Sequence, residues 1–455
     1  MLCLHDSIRD DDPSVQRLLR AAEDAHSLPA LILAAWQVAR VLTVRLVEAV
    51  LAERARRPCA WPCCPACGVS LRSKGFATRQ ITSLVGPIRW RRRVGRCPQG
   101  CVIPQVAPFD AELGVQAYQR SSGELQSLGC AFAVFGPFAT AARLLGWYSG
   151  STVSSRAIWR WVQAAGHQAM EHLQEDLAAV AQSHGPMPEP LPAARAALPL
   201  ALGADGVMVP FRPEAGAPTG KTRWREIKVG VLARLSQHRT RTGQVVTRLA
   251  HRRLVAVLGD IERLTPRLWL EAVRQGILSA PQVVWLSDGG RGLWRLFDER
   301  FACHATGVLD FYHAAQHLWQ AAAAWLEGRT PQARQWFAWA RHRLRHGKPD
   351  GVLADLADAL DVEGLPATAR DTLTTVYSYL KRHREHINYA RYKALGLPLG
   401  SGMVESACKW LLQQRFKGVG MRWSEDGFNH LLHLRLAWVN GRFEALFGLT
   451  LSPTQ

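Results

Sequence analysis

The stretch LPLALGADG, residues 198–206, decides the fold. It is a short apolar run that stops at an acid–glycine pair, Asp205-Gly206. It closes a segment rich in proline and alanine, SHGPMPEPLPAARAALP at 183–199, of the kind that separates domains. Beyond it the pattern alternates. EIKVGVLARL at 226–235 and the segment 244–251 read as strands, and residues around 269–275 as a helix. Residues 282–286 are apolar and β-branched, stopping at Ser287-Asp288-Gly289-Gly290, and 306–309 form a further short strand stopping at Asp310. Such alternation is the signature of an α/β sheet. Residues 314–392 then read as almost wholly helical, with a break at 400–402 and helices over 403–416 and 424–447, the last interrupted at Gly441.

On the N-terminal side, 15–57 reads as helix, broken near Ser27-Leu28-Pro29 and ending in Arg54, Arg56 and Arg57. Residues 59–101 are rich in Cys, Gly and Pro with strand-like alternation, and 111–176 turn helical again. The expected division is an N-terminal helical segment (1–57), a zinc-ribbon-like module (58–110), a helical region (111–182), a linker (183–199) and an α/β domain (200–455). At 455 residues, with 48% apolar composition, the chain has material for several cores.

Charge narrows the partners. Lys and Arg number 56 against 37 Asp and Glu, a net +19, which points to a polyanion such as nucleic acid. A GC-rich genome also raises arginine, though it does not explain the shortage of acids. The opening MLCLHDSIRDDDP is polar and acidic, unlike a secretory signal, and the apolar run at 28–52 is interrupted by Arg40, Arg45 and Glu48. A cytoplasmic, nucleoid-associated protein with no membrane partner is expected, and in that reducing compartment ten cysteines are ligands or buried thiols. No Gly-x4-Gly-Lys-Ser/Thr loop is present, which argues against a P-loop NTPase.

Cys64-Pro-Ala-Cys67 and Cys97-Pro-Gln-Gly-Cys101 are two close pairs some thirty residues apart, the spacing of a structural Zn²⁺ site. Cys59 and Cys63 are extra, and Cys63 can stand in for Cys64. Between the pairs, Arg89-Trp90-Arg91-Arg92-Arg93 is an arm suited to a phosphate backbone, or a solvated strand face.

Three acids stand out. Asp205 and Asp288 each follow a strand, and Glu405 starts a helix in Ser401-Gly402-Met403-Val404-Glu405. Singly they are weak signals, since Asp-Gly is ordinarily a turn and a helix-start glutamate ordinarily complements the dipole. Together, two strand-end aspartates and a helical glutamate are what a ribonuclease-H-like sheet can bring to one point. Two-metal phosphodiester cleavage needs such hard oxygen ligands, with Mg²⁺ or Mn²⁺ between them.

The segment Leu309-Asp310-Phe311-Tyr312-His313 resembles the Asp-x-x-His motif that follows the second catalytic aspartate in several transposase groups. Glu405-Ser406-Ala407, then Gln414-Arg415-Phe416-Lys417 and Gly420-Met421-Arg422-Trp423, resemble them too. With Ala204-Asp205-Gly206-Val207 and Trp224-Arg225-Glu226-Ile227-Lys228-Val229-Gly230, the chain over residues 55–445 is similar to bacterial insertion-sequence DDE transposases of the ISKra type. The resemblance implies Asp205, Asp288 and Glu405 as the metal-binding triad, Asp310 and His313 as a secondary motif, and a helical insertion at about 314–398 inside the catalytic fold. His313 and His317 share a helix face, but His-Ala-Ala-Gln-His lacks the glutamate of a zinc protease, so His313 is read as bonded to backbone or Asp310, or as positioning DNA. Arg415, Lys417 and Arg422, like Arg91, Arg92 and Arg93, are candidate DNA contacts. Most of the 17 tryptophans, Trp159 and Trp339 among them, read as core.

The expected protein is thus a DNA transposase that binds double-stranded transposon ends and target DNA as a homo-oligomer. A domesticated, non-catalytic zinc DNA-binding protein and a nuclease without strand transfer are the rivals.

Overall fold

The computed structural model describes residues 13–103, 105–182, 188–213 and 222–448. The first part of the expected linker, 183–187, lies outside them. The chain divides into two compact units, residues 1–164 with 444–455, and residues 165–443.

In the first unit, helices α1 (Pro13–Glu23) and α2 (Leu28–Arg56) precede a hairpin of β1 (Arg72–Ser83) and β2 (Gly86–Arg96). Ser27 caps α2 through its Oγ and Pro29 occupies the first turn, where a missing N–H costs nothing. Along β2, Ile88, Trp90, Arg92 and Val94 point inward while Arg89 and Arg91 point out, the period of two that defines a half-buried strand. Among the described residues, α2 is the one helix long and apolar enough to cross a membrane by length and composition. Its C-terminal half packs on the hairpin: Leu51 and Ala55 share a core with Ile81, Ile88, Trp90 and Phe109, and Glu48 accepts the Arg89 backbone N–H at 2.7 Å. Helices α3 (Gly123–Phe135), α4 (Phe138–Ser149) and α5 (Ser155–Ala181) follow, the last carrying the chain into the second unit. Trp159 on α5 stays exposed, as does Trp339 further on, so neither is core.

The second unit holds a five-stranded mixed sheet, β3 (Leu200–Phe211), β4 (Arg223–Arg239), β5 (Val245–Leu258), β6 (Val283–Ser287) and β7 (Thr306–Leu309), in the order β5-β4-β3-β6-β7. β3, β4 and β5 form an antiparallel meander, and β6 and β7 run parallel to β3. Every residue of β6 is buried, which is why it reads as an unbroken apolar run. Helix α6 (Ile261–Arg274) joins β5 to β6 and packs on β4 so closely that a Cβ on Gly230 would sit 2.7 Å from Leu268. Helix α7 (Arg291–Leu296) joins β6 to β7. One expectation is corrected here. β3 does not stop at Asp205; it continues to Phe211, because Val207, Val209 and Phe211 keep filling the interior. Asp205 therefore lies mid-strand, paired with Val229.

Residue 189 onward is not a free tether. Glu189 pairs with Arg442 and with Arg253 at 3.1 Å. Burial alone would raise its carboxyl, but the two guanidiniums outweigh it and hold it at about 2.

After β7, helices α8 (Phe311–Leu326), α9 (Pro331–Arg345), α10 (Pro349–Leu360), α11 (Ala367–Arg382) and α12 (Tyr389–Ala394) form a helical insert. Its two ends meet: the Phe311 N–H donates to the Leu399 carbonyl at 2.8 Å. The chain then forms α13 (Gly402–Ala407), widens into a π turn at Cys408–Gln413 and ends the helix at Gln414–Phe416, before α14 (Glu425–Val439). α13 lies directly on β3. A Cβ on Gly203 would sit 2.8 Å from the Val404 side chain and 2.6 Å from the Leu286 carbonyl. Gly203→Ala is expected to lose about 1–3 kcal/mol through this overpacking, measured by denaturant melts; an unchanged midpoint would contradict the packing.

Candidate active site

The sheet and α13 place the three acids in one region, although among the described residues their carboxylates do not form a close ligand cluster of the kind the four cysteines do. Asp205 is half-buried at the middle of β3, with the Gly206 N–H donating to its Oδ1 at 2.6 Å. Asp288 caps the loop just beyond β6, its Oδ1 accepting the N–H groups of Gly289 and Gly290 at 3.1 and 3.0 Å. Glu405 projects from the first turn of α13, exposed, 3.7 Å from Lys409. Burial raises the Asp205 carboxyl, the charge of Asp288 adds to that, and His313 and Lys228 pull the other way. The Cys408 thiol, buried behind the acids, is pushed up to about 12, first by burial and then by the charges of Asp205 and Glu405. The charge of Asp288 thus acts on Asp205, and those of Asp205 and Glu405 act on Cys408.

Asp310 does something different. It is 2% exposed and all its capacity is used inside the protein. Oδ1 accepts the N–H groups of Tyr312 and His313 at 2.6 and 3.0 Å, capping α8. Oδ2 accepts the Ser401 N–H and Oγ–H at 2.6 and 2.5 Å. One carboxylate therefore starts the insert and fixes the residue before α13. His313 Nδ1 stands 3.6 Å from Oδ2, an ion-pair distance, and Asp310 holds its imidazole above the ordinary value, with further help from Asp288 and Glu405.

Two residues to which sequence reasoning assigns no role lie beside these acids. Gly289 has φ +148°, and a Cβ there would collide with the Tyr379 ring of α11. The insert thus reaches the Asp288 loop through Tyr379, whose hydroxyl is raised by burial and then by Asp288 and Asp310. The His317 ring lies tilted against that of Tyr379, with centroids 4.1 Å apart. On β4, Lys228 lies opposite Gly206 and pairs with Glu226 at 2.7 Å, close enough to act on Asp205. Tyr379 sits in a helical pattern that looks like any core aromatic, and Lys228 in a strand that looks like any solvated edge.

In the first unit, the thiol sulfurs of Cys64, Cys67, Cys97 and Cys101 all lie within 4.8 Å of one another, a cluster that can hold a metal ion. Burial opposes ionisation of Cys97, but backbone donors at Cys101 and Gln99 bring it down to about 7. Cys63 is exposed and outside the cluster, so Cys64 is the member of that pair placed to hold an ion. Leu71 packs beside Cys64 and Cys97 in a small core of their own.

No protein-family model matches the chain, and no curated protein does. Among solved structures it is similar to the Drosophila P element transposase strand transfer complex. The TM-score is 0.32 and the identity 11%, over 73% of this chain and 95% of that one. A likeness at that level fixes neither fold nor function.

The six candidate DNA contacts separate sharply. Arg91 and Arg93 flank the ring of exposed Phe76 at 5.6 and 5.5 Å on the outer face of the hairpin. Arg92 alternates inward, 3% exposed, with Nε 3.0 Å from Asp110. Lys417 and Arg422 are exposed, Lys417 over the Trp224 ring at 5.5 Å. Arg415 is 2% exposed, lies over Trp423, and is brought down to about 10 by burial and then by Arg435. Arg92 and Arg415 are thus buried, whereas the other four lie at the surface or partly exposed.

Proposed function

We propose that the chain is a DDE DNA transposase of the bacterial ISKra insertion-sequence type. On this reading residues 200–455 form a ribonuclease-H-like catalytic domain carrying the helical insert, and the segments at 1–57, 58–110 and 111–182 recognise DNA. One observation carries it. Asp205 lies on the central strand, Asp288 at the end of the parallel strand beside it, and Glu405 on the helix laid over that central strand. That is the arrangement a ribonuclease-H-like sheet uses to gather acids around phosphodiester chemistry.

The donor set suits two Mg²⁺ or Mn²⁺ ions: three hard carboxylates, two of which repel each other in the bare protein. Such ions, when bound, activate the attacking oxygen and stabilise the leaving one. The chain's own residues do the rest. Asp205, Asp288 and Glu405 fix the geometry, while His313 and Lys228 supply positive charge for the scissile phosphate. In the first step water adds to phosphorus and the bond to the 3′ oxygen breaks, freeing a 3′-hydroxyl at the element end. In the second that hydroxyl oxygen attacks a target phosphodiester and displaces another 3′ oxygen. Two ends must be cut, which favours a homo-oligomer.

The test is incubation of the full chain with labelled DNA carrying the element's terminal repeats and Mg²⁺ or Mn²⁺. Cutting plus joined products is expected. Cutting without joining would leave a nuclease, and binding without cutting a domesticated DNA-binding protein.

For the cysteine cluster the proposed ion is Zn²⁺, four thiolates being its structural ligand set. Elemental analysis of purified protein is expected to give about one zinc per chain, lost in Cys97→Ser together with the fold of the hairpin module. A zinc-free wild-type protein with an intact hairpin would reject the site.

A further inference from the structure

Beside Glu405 the second unit has a feature that the cleavage chemistry does not use. An open trough of about 490 Å³ is lined by Arg252, Glu405, Ser406, Lys409, Trp410 and Gln414. It shares Arg252, Ser406 and Trp410 with a deeper cavity of about 320 Å³. The deeper part is walled by Val231, Leu254, Met403, Trp410, Trp438 and Val439. Aliphatic and aromatic side chains share its walls with the polar groups of Arg252 and Ser406, Lys409 lines the adjoining trough, and one residue of that trough is the candidate metal ligand Glu405.

Two local irregularities shape it. On β5, His251 and Arg252 together oppose the single residue Ala233, a β-bulge with His251 at φ +47°. Bulges of this kind re-aim a side chain, and here the residue concerned is Arg252, at the mouth. On the other side, the helix bearing Glu405 widens into its π turn at Cys408–Gln413, which carries Lys409 and Trp410. π turns within helices gather at functional sites. Carbonyls of that turn are held by Arg435, which donates to the oxygens of Leu411 and Trp410 at 2.9 and 2.6 Å. Its guanidinium also lies 4.8 Å from the Trp410 ring. The ring is therefore clamped in place before any ligand arrives.

We propose that this cavity receives one unstacked nucleobase of the bound DNA, next to the phosphate being cut, with Trp410 and Trp438 as the stacking walls and Arg252 and Lys409 on the flanking phosphates. The inference rests on the active-site reading above. The size supports it: 320 Å³ is at the small end of the roughly 300–1,000 Å³ of ligand sites, room for a single base and far too little for a duplex. So does the chemistry, since aromatic walls stack any base and basic mouths take phosphate. Extrusion beside the cut opens the helix where the carboxylates must reach the backbone.

The experiment uses the full chain and two forked duplexes, one with 2-aminopurine at the first unpaired position and one abasic there. Wild type is expected to bind the base-bearing fork roughly fivefold or more tightly than the abasic one, with quenched 2-aminopurine emission. Trp410→Ala should lose both the preference and the quenching while binding fully paired duplex within about twofold of wild type; Trp410→Phe should keep most of both. If Trp410→Ala does not fold, exposed Arg252→Ala serves instead and should weaken fork binding more than duplex binding. Equal binding of the two forks by a wild-type protein that cuts DNA would overturn the pocket and leave the carboxylate reading standing. A wild-type protein that neither binds nor cuts DNA would overturn both.

Discussion

Asp288→Asn is expected to leave the fold and DNA affinity intact and to lower metal-dependent strand cleavage by about a thousandfold or more. The amide keeps an oxygen where Oδ1 stands, so the Gly289 and Gly290 N–H groups remain capped and the loop keeps its shape. What disappears is the negative charge of a proposed metal ligand. Loss of a correctly held cation removes several kcal/mol of transition-state stabilisation, at about 1.4 kcal/mol per factor of ten. The neutral amide also removes the Asp288 charge that helps to raise the Asp205 carboxyl, so Asp205 should ionise more readily in the variant. Single-turnover cleavage and filter binding on the same DNA decide the matter, and a variant cutting within tenfold of wild type would falsify the assignment.

Asp310→Asn attacks the frame. The buried carboxylate accepts four hydrogen bonds, from Tyr312, His313 and twice from Ser401. An asparagine can face only one side with an oxygen, so two donors near Ser401 or near the α8 start lose their partner, at about 1–3 kcal/mol each. The loss has a pH signature. Burial works against ionisation of Asp310, but the bonds from His313 and Ser401 outweigh it and hold the carboxyl far below its usual range. A group depressed in the folded state stabilises fully above its unfolded pKa, about 3.9, and that stability fades as the pH falls below it. Urea melts should show wild type well ahead of Asp310→Asn at pH 7, with the gap narrowing toward pH 3. A gap that stays constant would mean the carboxylate is not the anchor. Cleavage should fall as well, since Ser401 leads directly into the helix that carries Glu405.

Much of the sheet that carries the candidate site is legible in the sequence because its strands are extreme cases. β6 is apolar throughout and ends on Asp288-Gly289-Gly290, so both strand and acid are plain. The cysteine pairs are spaced as ligands must be. Asp205 was placed at a strand end because Asp-Gly is a turn signal; only the pairing with Val229 on β4 shows the strand passing through it. Arg92 and Arg415 looked like DNA contacts because arginine carries no mark of burial. Their partners, Asp110 and Trp423, lie in other elements. Tyr379 was hidden for the opposite reason: an aromatic on an amphipathic helix reads as core wherever that helix packs. The bulge at His251 and the π turn at Cys408–Gln413 leave no compositional trace at all.

The hydrogen bond between Phe311 and Leu399, with Asp310 gripping Ser401 beside it, means that the chain leaves the sheet and returns to it through a single doorway. The length of the excursion is thereby decoupled from the position of Glu405, while Tyr379 on α11 and His386 beyond it tie its returning arm back to the sheet and its loops. Chain added to or removed from the far side of such a closed excursion changes closure entropy only logarithmically. Insertions and deletions in α9 and α10 can therefore be absorbed while Asp205, Asp288 and Glu405 keep their places.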